Sequence, residues 1–557
     1  MAEEKLTGFR LLGAAMKNRK MGLMLVFGFA AGLPYALLLG TLYAWLSTAE
    51  VDLETMGVFS LIGLAYAFKF LWSPVVDRVE LPILGKLGRR KGWLIVTQTL
   101  LGAILITLSL LNPSTSLGWF SLLAGIGAFA SATQDIVIDA WRVDVADEIA
   151  TLDILSTVYQ LGYRIAALAG GALALFMADV VGWPWVYAGM GVAMLLISAA
   201  SWVAPDTPRP AENVFVTELR QPGSLTPKVR SYALGIVSVF WLWALITVIV
   251  FMVRSLGSDP ASRPNPTDFI QVYGPLIVIA TVIVPAIIAA VLEYWRRSGK
   301  FLTDSNVPAQ NGIDRMVDHG YVALLLPLSE LMGRLRWAAI LVLGLILTYR
   351  LTDSIWGPFA YPFYLDELGY TNSEVAIASK FFGVAMTMLG ISLGAVLFAL
   401  IGRMPTLIIG AATAAATNLL YAELALGGAM LDAFGQLTGL SWVFAQFGAD
   451  ERMFRLMLAI AGENLAGGLA GAAFVAYLSS ITSKTYSAVQ YALLSSLTFL
   501  VGALGRGALG EAIEIYGYAD IFRFTAALGM IAVILCSFEW MRYRQENENR
   551  EQAPATA

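Results

Sequence analysis

About ten ionisable side chains interrupt the apolar runs of this 557-residue chain, and each costs about 2.5–3.5 kcal/mol at mid-bilayer, so each is a functional candidate. Asp135 and Asp139, four apart, share one face of a helix, and Arg350 and Asp353 stand three apart in another. Lys69, Arg164, Arg350 and Lys380 supply fixed positive charge of the kind that holds an anionic solute. Carboxylates can neutralise those cations when no solute is bound. A carboxylate that moves between wet and dry surroundings changes its affinity for a proton, which makes Asp135, Asp353 and Glu463 the candidates for proton coupling. Other chemistry is poorly supplied. His319 is the one histidine and Cys536 the one cysteine, so a metal centre or a histidine-based triad would have to be built almost without histidine. A membrane-embedded enzyme would need acids, histidines or metal ligands converging on one membrane surface; the charges here recur instead at matching depths in both halves of the chain. There is no Gly-rich GxxxxGK[ST] loop for direct ATP coupling, and a net charge of -4 leaves no basic footprint for nucleic acid.

Those charges need elements to hold them at depth. With 58% hydrophobic and 14% charged residues, the composition is that of a membrane protein. A span takes about 20 apolar residues, and about fourteen such runs are present. Six fall near 21–46, 57–76, 92–111, 119–140, 154–178 and 184–204, two near 231–253 and 270–292, and six near 337–364, 374–401, 405–429, 453–478, 486–510 and 521–541. The pattern predicts an all-α polytopic protein: a six-helix bundle over 1–205, a cytoplasmic linker with two additional membrane helices over 206–336, a second six-helix bundle over 337–541 and a tail over 542–557. The segment 430–455 reads as amphipathic and periplasmic. Connections 47–56, 112–118, 179–184 and 365–373 contain no Lys or Arg. The alternate connections collect Lys17, Arg19 and Lys20, then Arg78 to Lys91, then Arg296, Arg297, Arg334 and Arg336, and finally Arg542 and Arg544. By the positive-inside rule both termini are then cytoplasmic. Two six-helix halves around a long cytoplasmic connection are the layout of a transporter that rocks about a central site, with the inserted pair as a peripheral support.

Between the second and third spans, Ser73-Pro74-Val75-Val76-Asp77-Arg78 and Gly88-Arg89-Arg90-Lys91-Gly92-Trp93 resemble the major-facilitator signature. An Asp at a helix end beside arginines can form a charge network on the cytoplasmic rim, made in one conformation and broken in another. The spacing is longer than in most of that superfamily, so the resemblance rests on Asp77 and Arg78, and Lys86 and Lys91 read as positive-inside anchors. A closer resemblance is carried by Gly32-Leu33-Pro34, Gly40-Thr41-Leu42, Phe68-Lys69-Phe70-Leu71-Trp72, Ser131 to Trp141, Leu161-Gly162-Tyr163-Arg164, Lys380, Glu463-Asn464-Leu465-Ala466-Gly467-Gly468 and Lys484 to Ser495. These segments resemble the AmpG muropeptide permease family of the major facilitator superfamily across both halves.

That resemblance implies a major-facilitator fold of two six-helix bundles plus the two inserted helices, in a bacterial inner membrane. It also implies proton-coupled import of anhydro-muropeptides, the proton gradient taking the place of any cofactor, by a monomer whose partners are membrane lipid and an anionic sugar-peptide. The substrate's carboxylates would meet Lys69, Arg164, Arg350 and Lys380, with Gln134, Tyr163 and Asn464 beside them, while its sugar rings would stack on aromatics such as Trp45 or Trp356. Asp77, Arg78, Asp139, Arg142 and Arg506 are the gating candidates, Asp139 alternatively a proton carrier and Arg506 alternatively part of a rim ion pair with Glu511. The same cavity charges would serve another bulky anion such as a coenzyme A ester. Proline in the first span, at Pro34, predicts a kink there.

Overall fold

The computed structural model describes residues 6–51, 59, 61–205, 216–257, 264–306, 312–351, 359–498, 500 and 506–552; for 506–511, 547 and 549–552 the backbone alone is described. Among these residues the β pairing is one isolated antiparallel bridge, Leu225 to Leu302, and the rest of the regular structure is helical.

The chain begins with a short helix, α1 (Gly8–Met16), and a first span, α2 (Arg19–Thr48). Pro34 lies inside α2, and a π turn over Leu37–Thr41 follows it. The proline withdraws an N–H and crowds the carbonyl one turn back, and the wider turn absorbs the misfit. The expected second span is broken into α3 (Ile62–Ala67), a 3-10 turn over Lys69–Trp72 and α4 (Ser73–Arg78). Pro74 sits in the first turn of α4, where a missing N–H costs nothing. Then come α5 (Arg89–Ser109), α6 (Leu117–Val145), α7 (Leu152–Val181), α8 (Trp183–Ser201) and the inserted pair α9 (Pro227–Ser255) and α10 (Pro266–Arg297). Shorter helices α11 (Gly312–Leu324), α12 (Leu326–Leu335) and α13 (Ala338–Tyr349) follow. The remainder is α14 (Asn372–Ile401), α15 (Arg403–Ala425), α16 (Ala429–Thr438), α17 (Leu440–Gln446), α18 (Glu451–Ser480), α19 (Ser487–Ser496) and α20 (Ala512–Glu546).

Eleven of the described helices are long and apolar enough to cross a membrane, or up to twelve if one closely joined pair counts as a single span. The other three expected runs, 57–76, 337–364 and 486–510, carry shorter pieces: α3 and α4, α13, and α19. Local chemistry sets several boundaries. Gly182 and Gly402, at φ of 85° and 82°, each turn one span directly into the next, a conformation that side-chain-bearing residues resist. Asn265 caps α10 by accepting from the Thr267 N–H at 2.8 Å, and Thr371 with Glu374 forms a reciprocal capping box at the start of α14.

Contacts group the chain into two compact units. The first, here the N unit, contains Arg19–Trp337 together with Leu478–Phe499, so the end of α18 and all of α19 pack with helices α2 to α12. The second, the C unit, contains Met1–Asn18, Ala338–Tyr477 and Leu500–Ala557. In the N unit the inserted pair is seated by stacked rings, Phe251 on Phe269 at 4.0 Å, with Phe269 edge-on to Phe68 at 6.1 Å. The C unit has its own core of Phe363, Tyr364, Tyr421, Leu456, Ile460 and Phe522.

Candidate functional site

In the N unit, α6 carries a ladder of charge. Asp135, Asp139 and Arg142 follow one another at spacings of four and three, on one helix face. Lys69, in the 3-10 turn, approaches from the facing segment: its Nζ lies 3.3 Å from Asp135 Oδ2 and 3.9 Å from Asp139 Oδ2. Arg142 Nη2 lies 3.1 Å from Asp139 Oδ1 and donates at 3.1 Å to Ser479 Oγ. The Arg142 guanidinium also lies over the rings of Tyr159 at 4.8 Å and Tyr491 at 5.1 Å. Asp135, Asp139 and Arg142 are buried, and Lys69 keeps some exposure. Two cations and two carboxylates thus stand in one chain, so the loss of hydration is offset within the group. From Tyr159 the aromatic contacts continue to Tyr163 at 6.3 Å, from Tyr163 to Tyr35 at 6.2 Å, and from Tyr35 edge-on to Tyr66 at 5.0 Å. Arg164, half-buried, is the next residue after Tyr163.

Asp144 follows Asp135 by nine residues, about half a turn out of phase, and so serves a different cluster. Arg90, fully buried at the start of α5, binds Asp77 Oδ1 at 2.7 Å and Asp144 Oδ2 at 3.0 Å. Arg89 reaches the same two carboxylates at 3.2 Å each. Ser487, the first residue of α19, accepts from Arg90 Nη2 at 2.8 Å and donates to Asp144 Oδ1 at 2.7 Å. Two guanidiniums, two carboxylates and a hydroxyl therefore close a ring that ties α4, α5, α6 and α19 together. Beside it, Lys484 donates to the Ala146 carbonyl at 3.0 Å, and Lys20 binds Asp147 at 2.5 Å. Partial burial pushes the Asp147 carboxyl up, but hydrogen bonds from Lys20 and from the N–H groups of Ala150 and Ile149 outweigh it and hold it below the usual carboxylate value.

In the C unit, Glu463 of α18 accepts a short hydrogen bond from the Tyr421 phenol, and the Tyr421 and Tyr364 hydroxyls lie 2.9 Å apart. The neighbouring Asn464 accepts from Thr387 Oγ1 at 2.9 Å and donates to the Ile460 carbonyl at 2.9 Å, which fastens α18 to α14. Lys380 lies in a π turn over Ile377–Phe382, exposed, its ammonium 5.9 Å from the Tyr361 ring. Arg350, half-buried, lies beside Gly471 of α18, whose missing Cβ would stand 3.8 Å from its Nη1.

The geometry brings Lys69, Asp135, Asp139 and Arg142 together, with Tyr163 next to Tyr159, the ring under Arg142. Asp77 is buried and pairs with Arg89 and Arg90; Arg78 donates to the His319 carbonyl at 3.1 Å. Gln134 is buried and donates to the Ala30 carbonyl at 2.7 Å, fastening α6 to α2. Trp45 is buried among Phe120, Trp183 and Tyr187. Asp353, Trp356 and the side chain of Arg506 lie outside the described residues. Sequence reasoning missed Asp144, which looks like one more acid at a helix end, and gave no role to Ser487 or Tyr491, both inside a matching motif. It also missed Tyr421 and Tyr364, which no charge pattern marks.

Comparison with known proteins places the chain as a whole. The chain is 29% identical over 539 residues to the anhydromuropeptide permease of Escherichia coli K12, covering 95% of this chain and 82% of that one. It is 25% identical over 523 residues to a putative AmpG transporter of Rickettsia conorii, covering 94% and 97%. A family model described as acetyl-coenzyme A transporter 1 matches residues 20–117. Among solved structures, the proton:xylose symporter XylE bound to 6-bromo-6-deoxy-D-glucose matches at TM-score 0.51 and 12% identity, covering 95% of each chain. The human organic anion transporter MFSD10 matches at TM-score 0.50 and 12% identity, covering 95% of this chain and 99% of that one. The fold is that of the major facilitator superfamily, and the resemblance to the AmpG permease family read from the sequence is borne out. The protein is a multi-pass membrane permease for a small-molecule substrate.

Proposed function

We propose that this permease imports anhydro-muropeptides, GlcNAc-anhydroMurNAc with or without peptide, from periplasm to cytoplasm with a proton, by alternating access in a bacterial inner membrane with both termini cytoplasmic. The substrate part of the reading is supported by similarity over 95% of the chain to a protein named anhydromuropeptide permease. The match to the acetyl-coenzyme A transporter family stops at residue 117, which leaves that substrate class the weaker supported.

One observation carries the coupling: a single ammonium, Lys69, stands within 3.3 Å of Asp135 and 3.9 Å of Asp139. While Asp135 is ionised it competes with any anionic solute for Lys69. A proton on Asp135 removes that competitor and releases the ammonium to a substrate carboxylate. Proton and anion then enter together, because neither is accommodated well without the other. Arg164, Tyr163 and, in the second half, Arg350, Lys380 and Asn464 complete the proposed substrate contacts; Glu463 and Asp353 are further proton candidates. The ring of Asp77, Arg89, Arg90, Asp144 and Ser487, with Arg142 on Ser479, is the proposed inner gate.

The test is uptake of labelled anhydro-muropeptide into vesicles with and without an imposed proton gradient. Wild-type protein should accumulate substrate uphill only with the gradient. Asp135→Asn should abolish uphill accumulation and keep downhill exchange. Gradient-independent uptake by the wild type, or full uphill accumulation by Asp135→Asn, sinks the coupling role; no uptake at all by well-inserted protein sinks the substrate.

A further inference from the structure

A cavity of about 450 Å³ in the N unit shares no lining residue with the clusters above; Arg230, Glu293, Arg296, Arg297, Ser329 and Glu330 are among its walls. Arg230 stands near the start of α9, and Arg296 and Arg297 end α10. These are the outer ends of two consecutive spans, so they return to the same face of the membrane. Tyr232 and Tyr294, 75% and 62% exposed, flank that level, where amphipathic rings mark the boundary between lipid and water.

The charges in this cavity are unevenly matched. Glu293 is shared by Arg296 at 2.8 Å and Arg297 at 2.7 Å, so that trio carries one positive charge more than its carboxylate returns. Arg230 is 1% exposed; it donates to the Leu219 carbonyl, to the Leu225 carbonyl at 2.9 Å and to Asp318 at 3.0 Å, while its Nε is buried and has no acceptor among the described residues. A buried guanidinium N–H in that state is met by water or by a bound acceptor. Of the other acids in the wall, Glu218 is exposed, and Glu330 is already engaged by Arg334 at 3.1 Å and by Gln490 Nε2 at 2.6 Å.

We propose that this cavity binds a phosphate-bearing anion, either a phospholipid headgroup or soluble phosphate, on Arg230, Arg296 and Arg297. Planar guanidinium forks fit phosphate oxygens better than any other cationic side chain does. The site also touches the proposed inner gate through α12. Arg297 donates to the Gly333 carbonyl at 2.5 Å, and a Cβ at Gly333 would stand 3.1 Å from Glu293, so α12 is drawn against the end of α10. From the same helix Glu330 accepts from Gln490 of α19, whose first residue, Ser487, holds Asp144 and Arg90. An anion in the cavity therefore steadies the helix that braces α19, which gives the inserted pair a regulatory use as well as a supporting one.

The experiment is thermal unfolding of the purified full-length protein in neutral detergent, titrated separately with short-chain phosphatidylglycerol, inorganic phosphate and phosphate-free dihexanoylglycerol. A saturable rise in Tm with phosphatidylglycerol is expected, with half-saturation weakened at least about tenfold in Arg230→Gln and Arg297→Gln. An equal rise with inorganic phosphate supports the site and assigns it to the soluble anion; a rise with phosphatidylglycerol alone assigns it to the headgroup. If Arg230→Gln does not fold, the half-exposed Arg297→Gln still decides. No rise with either anion, an equal rise with dihexanoylglycerol, or unchanged half-saturation in the arginine variants overturns the proposal.

Discussion

In the N unit Asp135 and Asp139 face cations, Lys69 at 3.3 and 3.9 Å and Arg142 at 3.1 Å, whereas in the C unit Glu463 accepts a hydrogen bond from the phenol of Tyr421, itself 2.9 Å from that of Tyr364. The two arrangements respond differently to a proton. An ion pair favours the charged carboxylate, so protonating it releases the cation to do something else. A phenol is neutral, can donate to the charged form or accept from the protonated one, and frees no charge when the carboxylate changes state. The first arrangement suits exchange of a proton for an anion at one cation; the second suits a carboxylate that must be held in place whatever its charge. The rim ring of Arg89, Arg90, Asp77 and Asp144 is the extreme of the ionic kind, with Arg90, Asp77 and Asp144 nearly fully buried.

The strongest way to break the comparison is at Arg90. Arg90→Ala takes one guanidinium away from the buried carboxylates of Asp77 and Asp144, and removing one partner of such a pair costs about 3–5 kcal/mol. The expected outcome is a large fall in Tm in detergent, partly restored when Asp144→Asn is added, because the second change removes the stranded charge. A fall no larger than that of an exposed control such as Arg523→Ala would show that the buried ring does not hold the N unit together.

Next in size is the coupling of Lys69 and Asp135. Lys69→Gln, Asp135→Asn and the double variant form a cycle, and contacting residues in one network give interaction energies of about 0.5–3 kcal/mol. If Lys69 is held mainly by Asp135, the double variant is more stable than the sum of the two single changes, by thermal or denaturant unfolding. Strict additivity would place Lys69's main partner at Asp139 and move the proposed proton site one turn along α6.

Much of this was legible in the sequence, and the exceptions have physical causes. Hydropathy located α5 to α8 within a few residues, because a span needs about 20 apolar residues and little else there competes with that signal. It could not show that the second span breaks at Phe68, because the 3-10 turn that aims Lys69 at α6 is a tertiary choice. The four-residue spacing of Asp135 and Asp139 correctly placed both on one face; the identity of their cation was not readable, because Lys69 is 66 residues away in sequence from Asp135. The rim was read from Asp77 and Arg78, yet the cations on Asp77 come from Arg89 and Arg90 across a turn, and Ser487 is separated from Asp144 by 343 residues. The inserted pair was visible as two apolar runs, while the arginines that end it counted only as cytoplasmic-side charge, because charge at a membrane boundary needs no other reason.

The smallest expected effects test the phenol side. Tyr421→Phe removes a hydrogen bond to a carboxylate, worth about 1.5–3 kcal/mol, and Tyr364→Phe removes one between two neutral hydroxyls, worth about 0.5–1.5 kcal/mol. If Glu463 is held by a relay that runs Tyr364 to Tyr421 to Glu463, Tyr421→Phe should lower Tm by clearly more than Tyr364→Phe does, and the double variant should cost little beyond Tyr421→Phe, since the outer phenol has lost the neighbour it served. Two equal, additive losses would instead mean that each phenol acts only through its own packing against Phe363 and Phe522. In that case Glu463 owes its place to other contacts, and the contrast with the ion-paired Asp135 would have to be redrawn.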